Sequence, residues 1–213
     1  MLVITAINEV ELGEILKKIE IAQTFSSWVH LDITDGKFVS NITWNNPEEL
    51  KKRQASSVKR QVNFEVHLMV ESPEDVIKSW ILTGVKRIVI QIEAIDSDKA
   101  RSVLEAAGNV EIGLAVNPET PIENLFPYLE NFKFVLVLGV NPGLAGRQFN
   151  EKVLEKIKFL KNYYPNVIIE ADGGINLETA RLVKEAGADI IVSASHIWGS
   201  SNPQKTYNEL AAV

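Results

Sequence analysis

The chain has 213 residues, 46% of them apolar and 23% charged, enough for one sizeable core and short of two ordinary domains. A net charge of −6 argues against a general nucleic-acid binder, which carries a basic stripe, and the lack of cysteine removes disulfides and thiolate metal sites. No apolar run approaches the roughly 20 residues of a bilayer span, and Met1-Leu2-Val3-Ile4 carries no basic leader, so a cytoplasmic protein without membrane or nucleic-acid partners is expected.

Short β-branched runs alternate with segments of helical spacing. The first strand is expected at 2–6, followed by a helix over Val10–Ile21 that puts Leu12, Ile15, Leu16 and Ile19 on one side. A strand at 28–32 leads into a long connection, GKFVSNITW (36–44). The next strand, 62–69, precedes a helix opened by Ser72 as capping residue, Pro73 at the first helical position and Glu74 and Asp75 in the first turn. Strands follow at 86–92, 110–115 and 133–138, the last almost continuously apolar, as strands covered on both faces are. A second long connection, NPGLAGRQF (141–149), comes next. A strand at 166–171, a helix begun at Asn176 and closed by Gly187, and a strand at 189–193 complete the series. Eight strands alternating with helices predict an α/β fold, a (β/α)₈ TIM barrel with 1–213 as one domain; an open doubly wound sheet is the structural alternative. Both long connections follow strands, on the side where such barrels keep their catalytic groups.

Two of the three histidines, His30 and His67, fall at strand ends. Asp32 shares a strand face with His30, and Asp172 ends the seventh strand. Two imidazoles and two carboxylates converging on one barrel mouth suit Zn²⁺, Mn²⁺, Fe²⁺ or Co²⁺. A lone strand histidine is more often a structural hydrogen-bonding residue and an Asp before Gly a turn residue, but four such groups at matching strand ends are hard to reconcile with coincidence. His196 is expected in a loop after the last strand. Each ligating histidine also needs an acceptor for its second ring nitrogen, and Glu65 is not assigned to that role.

The blocks HLDITDGKFVSNITW (30–44), EVHLMVESPED (65–75), VNPGLAGRQF (140–149), EADGGIN (170–176) and VSASHIWGSSNP (192–203) resemble the ribulose-phosphate 3-epimerase family, in family order and over essentially the whole chain. The resemblance implies a ribulose-phosphate-binding barrel and a metal-dependent isomerase. Its reaction would invert C3 of a ketose phosphate, D-ribulose 5-phosphate to D-xylulose 5-phosphate, by two-base proton transfer through an enediolate. It implies a sugar phosphate as small-molecule partner, a homo-oligomer, and a divalent Zn, Fe, Mn or Co ion. Metal binding falls on His30, Asp32, His67 and Asp172, and acid–base catalysis on Asp32 and Asp172. Substrate contacts fall on Thr5, His67, Met69, Gly143, Leu144, Ala145, Gly146, Gly173, Gly174, Ala194 and Ser195.

The chain also departs from the family pattern. Thr34 and Leu138 stand where the family keeps methionines beneath the metal, and Leu144, Ala145, Arg147 and Ala194 alter the phosphate region. Two alternatives follow: an epimerase for allulose 6-phosphate, and a non-catalytic barrel that binds a phosphorylated ligand. Decarboxylases and aldol-type synthases with a D-x-K-x-x-D motif are opposed by Asp32-Ile33-Thr34-Asp35, which has no lysine.

Overall fold

Each β-branched run becomes a strand in the computed structural model, which describes residues 1–56, 62–143 and 148–213. The strands are β1 (Leu2–Ile7), β2 (Trp28–Thr34), β3 (Asn63–Met69), β4 (Arg87–Gln91), β5 (Glu111–Val116), β6 (Phe134–Leu138), β7 (Ile168–Asp172) and β8 (Ile190–Ser193). They pair in parallel in chain order, and β1 pairs with β8, so the sheet is a closed barrel and the open-sheet alternative is excluded.

Period-two alternation sorts the strand side chains into two layers. Val3 and Ile7, Val29, Leu31 and Ile33, Val66 and Leu68, and Ile88 and Ile90 face the helices in one continuous apolar cluster. Ile4 and Ala6, Val89, Ala115, Phe134, Leu136 and Leu138, and Ile190 and Val192 fill the barrel's interior. Near-continuous apolarity in the sequence thus reflects two separate cores that share one set of strands.

The helical spacings are realised with small shifts at the ends. Helix α1 (Leu12–Ala22) buries Ile15 and Ile19, worth about 1.5–3 kcal/mol each when fully covered. Helix α2 spans Pro47–Ser56 and α4 Ser97–Ala106, the latter capped by the Asp96 side chain. Helix α3 (Pro73–Ile81) starts at Pro73 as expected, but Ser72 makes no side-chain cap. Helix α5 spans Val153–Tyr163. Helix α6 (Leu177–Ala186) opens with a reciprocal cap in which Asn176 accepts from Glu178 and Thr179 N–H, and it closes at Gly187 with φ +111°. The short α7 (Ser195–Trp198) contains His196, so the loop expected there is a helical turn; α8 (Pro203–Ala211) follows.

Strict alternation fails once. Between β5 and β6 the described residues form a 3₁₀ turn at Ile122–Leu125 in place of an α-helix. Pro118, Pro121 and Pro127 each remove a backbone donor and clash with the preceding turn, which prevents an α-helical ladder from running through. An aromatic group covers this sector, with Phe126 stacked on Phe159 at 5.5 Å between ring centroids and Tyr164 against both.

Asp35 fastens the long β2–α2 connection. Its carboxylate accepts from the N–H groups of Lys37 and Phe38 and, across to the next connection, Glu71, each at 2.9 Å. Partial burial pushes the Asp35 carboxyl up, but these three donors outweigh it and hold the carboxyl below its usual range. Asp35→Ala is expected to cost about 1–3 kcal/mol, about 2–4 °C in Tm per kcal/mol. Because the folded-state value is depressed, this stabilisation is present above the unfolded carboxyl's pKa and is lost as pH falls through the folded one. Thermal melts of the two proteins should therefore converge in acid; a constant difference across pH would show that the carboxylate's charge is not what holds the loop.

Candidate active site

His30 and Asp32 project inward from β2, His67 from β3 and Asp172 from the end of β7, all on the interior side of the alternation. Each offers one ligand atom within 4.8 Å of the others, so four side chains expected to converge do so. Nδ1–H of His30 donates to Glu65 Oε1 at 2.5 Å, while His30 Nε2 lies 3.1 Å from Asp32 Oδ1. His67 Nδ1 lies 3.3 Å from the same Asp32 oxygen and has no hydrogen-bond partner. A lone pair on neutral imidazole facing a carboxylate at such distances needs a shared cation, either a proton or a metal. The orphaned His67 nitrogen and the mixed nitrogen and oxygen donor set fit a divalent ion.

The electrostatics separate the two aspartates. Burial pushes the Asp32 carboxyl up, but attraction and hydrogen bonds from His30, with His67, overwhelm it and hold Asp32 well below the usual range. Burial and then the charge of Asp32 push Asp172 up to about 6. Burial draws His30 down, yet Asp32 and Glu65 on two sides raise it well above an ordinary imidazole. One site therefore holds two carboxyl groups of very different proton affinity.

The centre opens into a cleft between the ends of the strands and the connections that follow them. Met69, Gly143, Gly173, Gly174, Ala194 and Ser195 line it. Gly173 and Gly174 have φ of +91° and +72°, and a Cβ on Gly173 would come within 2.6 Å of Val140 Cγ2. Glycine is thus required for the chain to turn directly after Asp172. Leu144, Ala145, Gly146 and Arg147 lie outside the described residues. His196 does not line the cleft.

Thr5 is not brought in. It sits between Ile4 and Ala6, which face the interior, so its own side chain belongs to the outer layer with Val3 and Ile7, fully buried and with its hydroxyl unpaired. A one-residue displacement along a strand moves a side chain to the opposite face. The interior positions of this strand run through Ala6 to Asn8, and Asn8 lines the cleft.

Sequence reasoning missed several members. Asn41 and Thr43 also line the cleft, and the Thr43 hydroxyl accepts from Thr34 N–H and donates to the Asp32 carbonyl at 2.7 Å, which fixes the end of β2. Glu65 is the acceptor for His30. Gln91 Nε2 lies 2.9 Å from His67 Nε2, and Gln91 Oε1 has no partner. Turning that amide over lets Oε1 accept from His67 Nε2–H and leaves Nδ1 with its lone pair toward Asp32. Counting alternate residues along β4 would have pointed to Gln91. No motif would have found it.

A sequence profile described as the ribulose-phosphate 3 epimerase family matches residues 2–198. The chain is 32% identical over 204 residues to a ribulose-phosphate 3-epimerase of Schizosaccharomyces pombe, covering 95% of this chain and 86% of that protein. It is 32% identical over 192 residues to the cytoplasmic isoform of ribulose-phosphate 3-epimerase from Oryza sativa subsp. japonica, covering 87% and 81%. Among solved structures, a 3-hexulose-6-phosphate synthase superposes with a TM-score of 0.73 over 100% of this chain and 99% of the other at 16% identity, a likeness of fold alone.

Proposed function

Because this chain belongs to the ribulose-phosphate 3 epimerase family of isomerases, we propose that it inverts C3 of D-ribulose 5-phosphate to give D-xylulose 5-phosphate, with a divalent metal, as one cytoplasmic barrel domain. The observation that carries this reading is the pairing, beside two buried imidazoles, of one carboxylate held low with a second pushed up to about 6. Inversion next to a carbonyl removes a proton from one face and returns one to the other, which requires two acid/base groups. Asp172, the stronger proton acceptor, and Asp32 take these roles, exchanging them with the direction of reaction. His30, His67, Asp32 and Asp172 would hold the ion, which when bound supplies Lewis-acid stabilisation of the negative charge developing on the substrate oxygens. Glu65 and Gln91 hold the two imidazoles in place. Gly143, Gly173, Gly174, Ala194 and Ser195, with Leu144, Ala145 and Gly146 next to Gly143 in the chain, receive the phosphate, mainly through backbone N–H groups.

The test is solvent deuterium uptake. Protein supplied with Zn²⁺, Mn²⁺, Fe²⁺ or Co²⁺ in turn is incubated with ribulose 5-phosphate in D₂O, and NMR follows C3. Label at C3 together with xylulose 5-phosphate is expected; no label with any ion would favour a non-catalytic ligand-binding barrel. Thr34 and Leu138 line the cleft, so allulose 6-phosphate is the comparison substrate in the same assay.

A further inference from the structure

From His30 a row of charged side chains runs on across the barrel, and its far members have no part in the reaction as assigned above. Strand register places His30 opposite Glu65, Glu65 opposite Arg87, and Arg87 opposite Glu111, one level across four successive strands. The row is bonded throughout. His30 Nδ1 meets Glu65 Oε1 at 2.5 Å, Arg87 Nη1 meets Glu65 Oε2 at 2.6 Å, and Arg87 Nε meets Glu111 Oε2 at 2.6 Å. Glu65 is fully buried and uses one oxygen on each side. The guanidinium lies 3.8 Å from the centroid of Phe134 and 4.9 Å from that of Trp28. Gly113 makes room for this arrangement, since a Cβ there would come within 2.5 Å of the Phe134 ring. A second buried carboxyl, Glu170, lies 3.9 Å from Arg87 Nη1 with no hydrogen bond to either oxygen.

We propose that Arg87 is a positioning residue for the metal centre, acting through Glu65 to hold the His30 ring with Nε2 facing Asp32. This role rests on the metal reading above. A carboxylate with one free oxygen can rotate, and a histidine bonded to it rotates too. Glu65 is gripped at its far oxygen by a planar cation that is itself fixed at a second edge by Glu111 and on its face by Phe134. Outer-shell partners of this kind set ligand orientation and typically change metal affinity about 10–100-fold. Lysine could supply the charge but neither the second bonded edge nor the flat stacking face.

Zn²⁺ titrations by calorimetry, with Co²⁺ absorption spectra as a check on ligand geometry, test this on the full chain alongside thermal melts of the metal-free protein. Arg87→Met is expected to weaken Zn²⁺ binding about tenfold or more and to change the Co²⁺ spectrum. Glu65→Gln should weaken it similarly, and the double variant no further than the worse single one, because both act along one path. Arg87 removal also strands buried carboxylates, so if Arg87→Met does not fold, Arg87→Lys carries the test with an expected loss of about threefold or more. Variants whose melting temperature falls while Zn²⁺ affinity stays within twofold of wild type would make Arg87 a structural ion pair only and overturn the proposal, as would losses that multiply in the double variant. A wild-type chain that binds no Zn²⁺ or Co²⁺ would overturn the metal reading, and this role with it.

Discussion

Asp172→Asn is expected to lower turnover at least about 100-fold, the lower end for losing a general acid or base, and Asp32→Asn to do the same. Asparagine keeps the volume and one acceptor oxygen but cannot exchange a proton at neutral pH, so binding should suffer less than turnover. Rates at saturating metal and ketose phosphate decide the matter; wild-type turnover in either variant would end the two-base assignment. A second signature separates chemistry from misfolding. Because Asp172 is raised to about 6 in the folded chain, its charge destabilises the metal-free protein above that pH, and the penalty disappears below the unfolded value near 4. Metal-free Asp172→Asn should therefore be more stable than wild type at pH 7.5, by up to about 3 kcal/mol, with the two converging below pH 4. A catalytically dead protein that melts higher is the outcome expected when a site is built against stability.

His67→Ala is the second large effect expected, this time on metal occupancy. The imidazole is fully buried, and its Nδ1 has no hydrogen-bond partner, with an Asp32 oxygen 3.3 Å away. Removing it should leave the purified chain without stoichiometric metal by elemental analysis. Gln91→Leu leaves the ring present but free to turn, so a graded loss of about 10–100-fold in affinity is expected there. Unchanged stoichiometry in His67→Ala would remove it from the ligand set. Equal losses in the two variants would mean that Gln91 does more than orient the ring.

How much of this was legible in the sequence depended on whether the signal was local. Strands β1 to β8 were readable because their β-branched residues are buried against the helices or inside the barrel, which leaves several of them almost continuously apolar, and α6 because Asn176 and Gly187 bracket it chemically. His30, Asp32, His67 and Asp172 were readable as uncommon residue types at strand ends. Thr5 was not, since the sequence preserves a hydroxyl while the face it points to depends on parity alone. The missing helix after β5 was announced by Pro118, Pro121 and Pro127, but regular strand spacing favoured a helix there. Glu65, Arg87 and Gln91 were harder for another reason: each looks like an isolated polar interruption, and it takes cross-strand register to put Glu65 opposite His30 and Arg87 opposite Glu65, and a side-chain contact between strands to join Gln91 to His67.

Closure of the barrel also sets a condition on time. β1 has β2 on one side from early in synthesis, but its other edge waits for Ile190–Ser193. The final stretch also reaches back to the first strand, with Trp198 Nε1–H donating to the Ala6 carbonyl and the Tyr207 hydroxyl to that of Val3. Until β8 has left the ribosome, the free edges of β1 and β7 stay open to pairing with a neighbouring nascent chain. The interval before the last strand arrives is when this protein is most exposed to aggregation, and a chaperone that shields its first strand would act there.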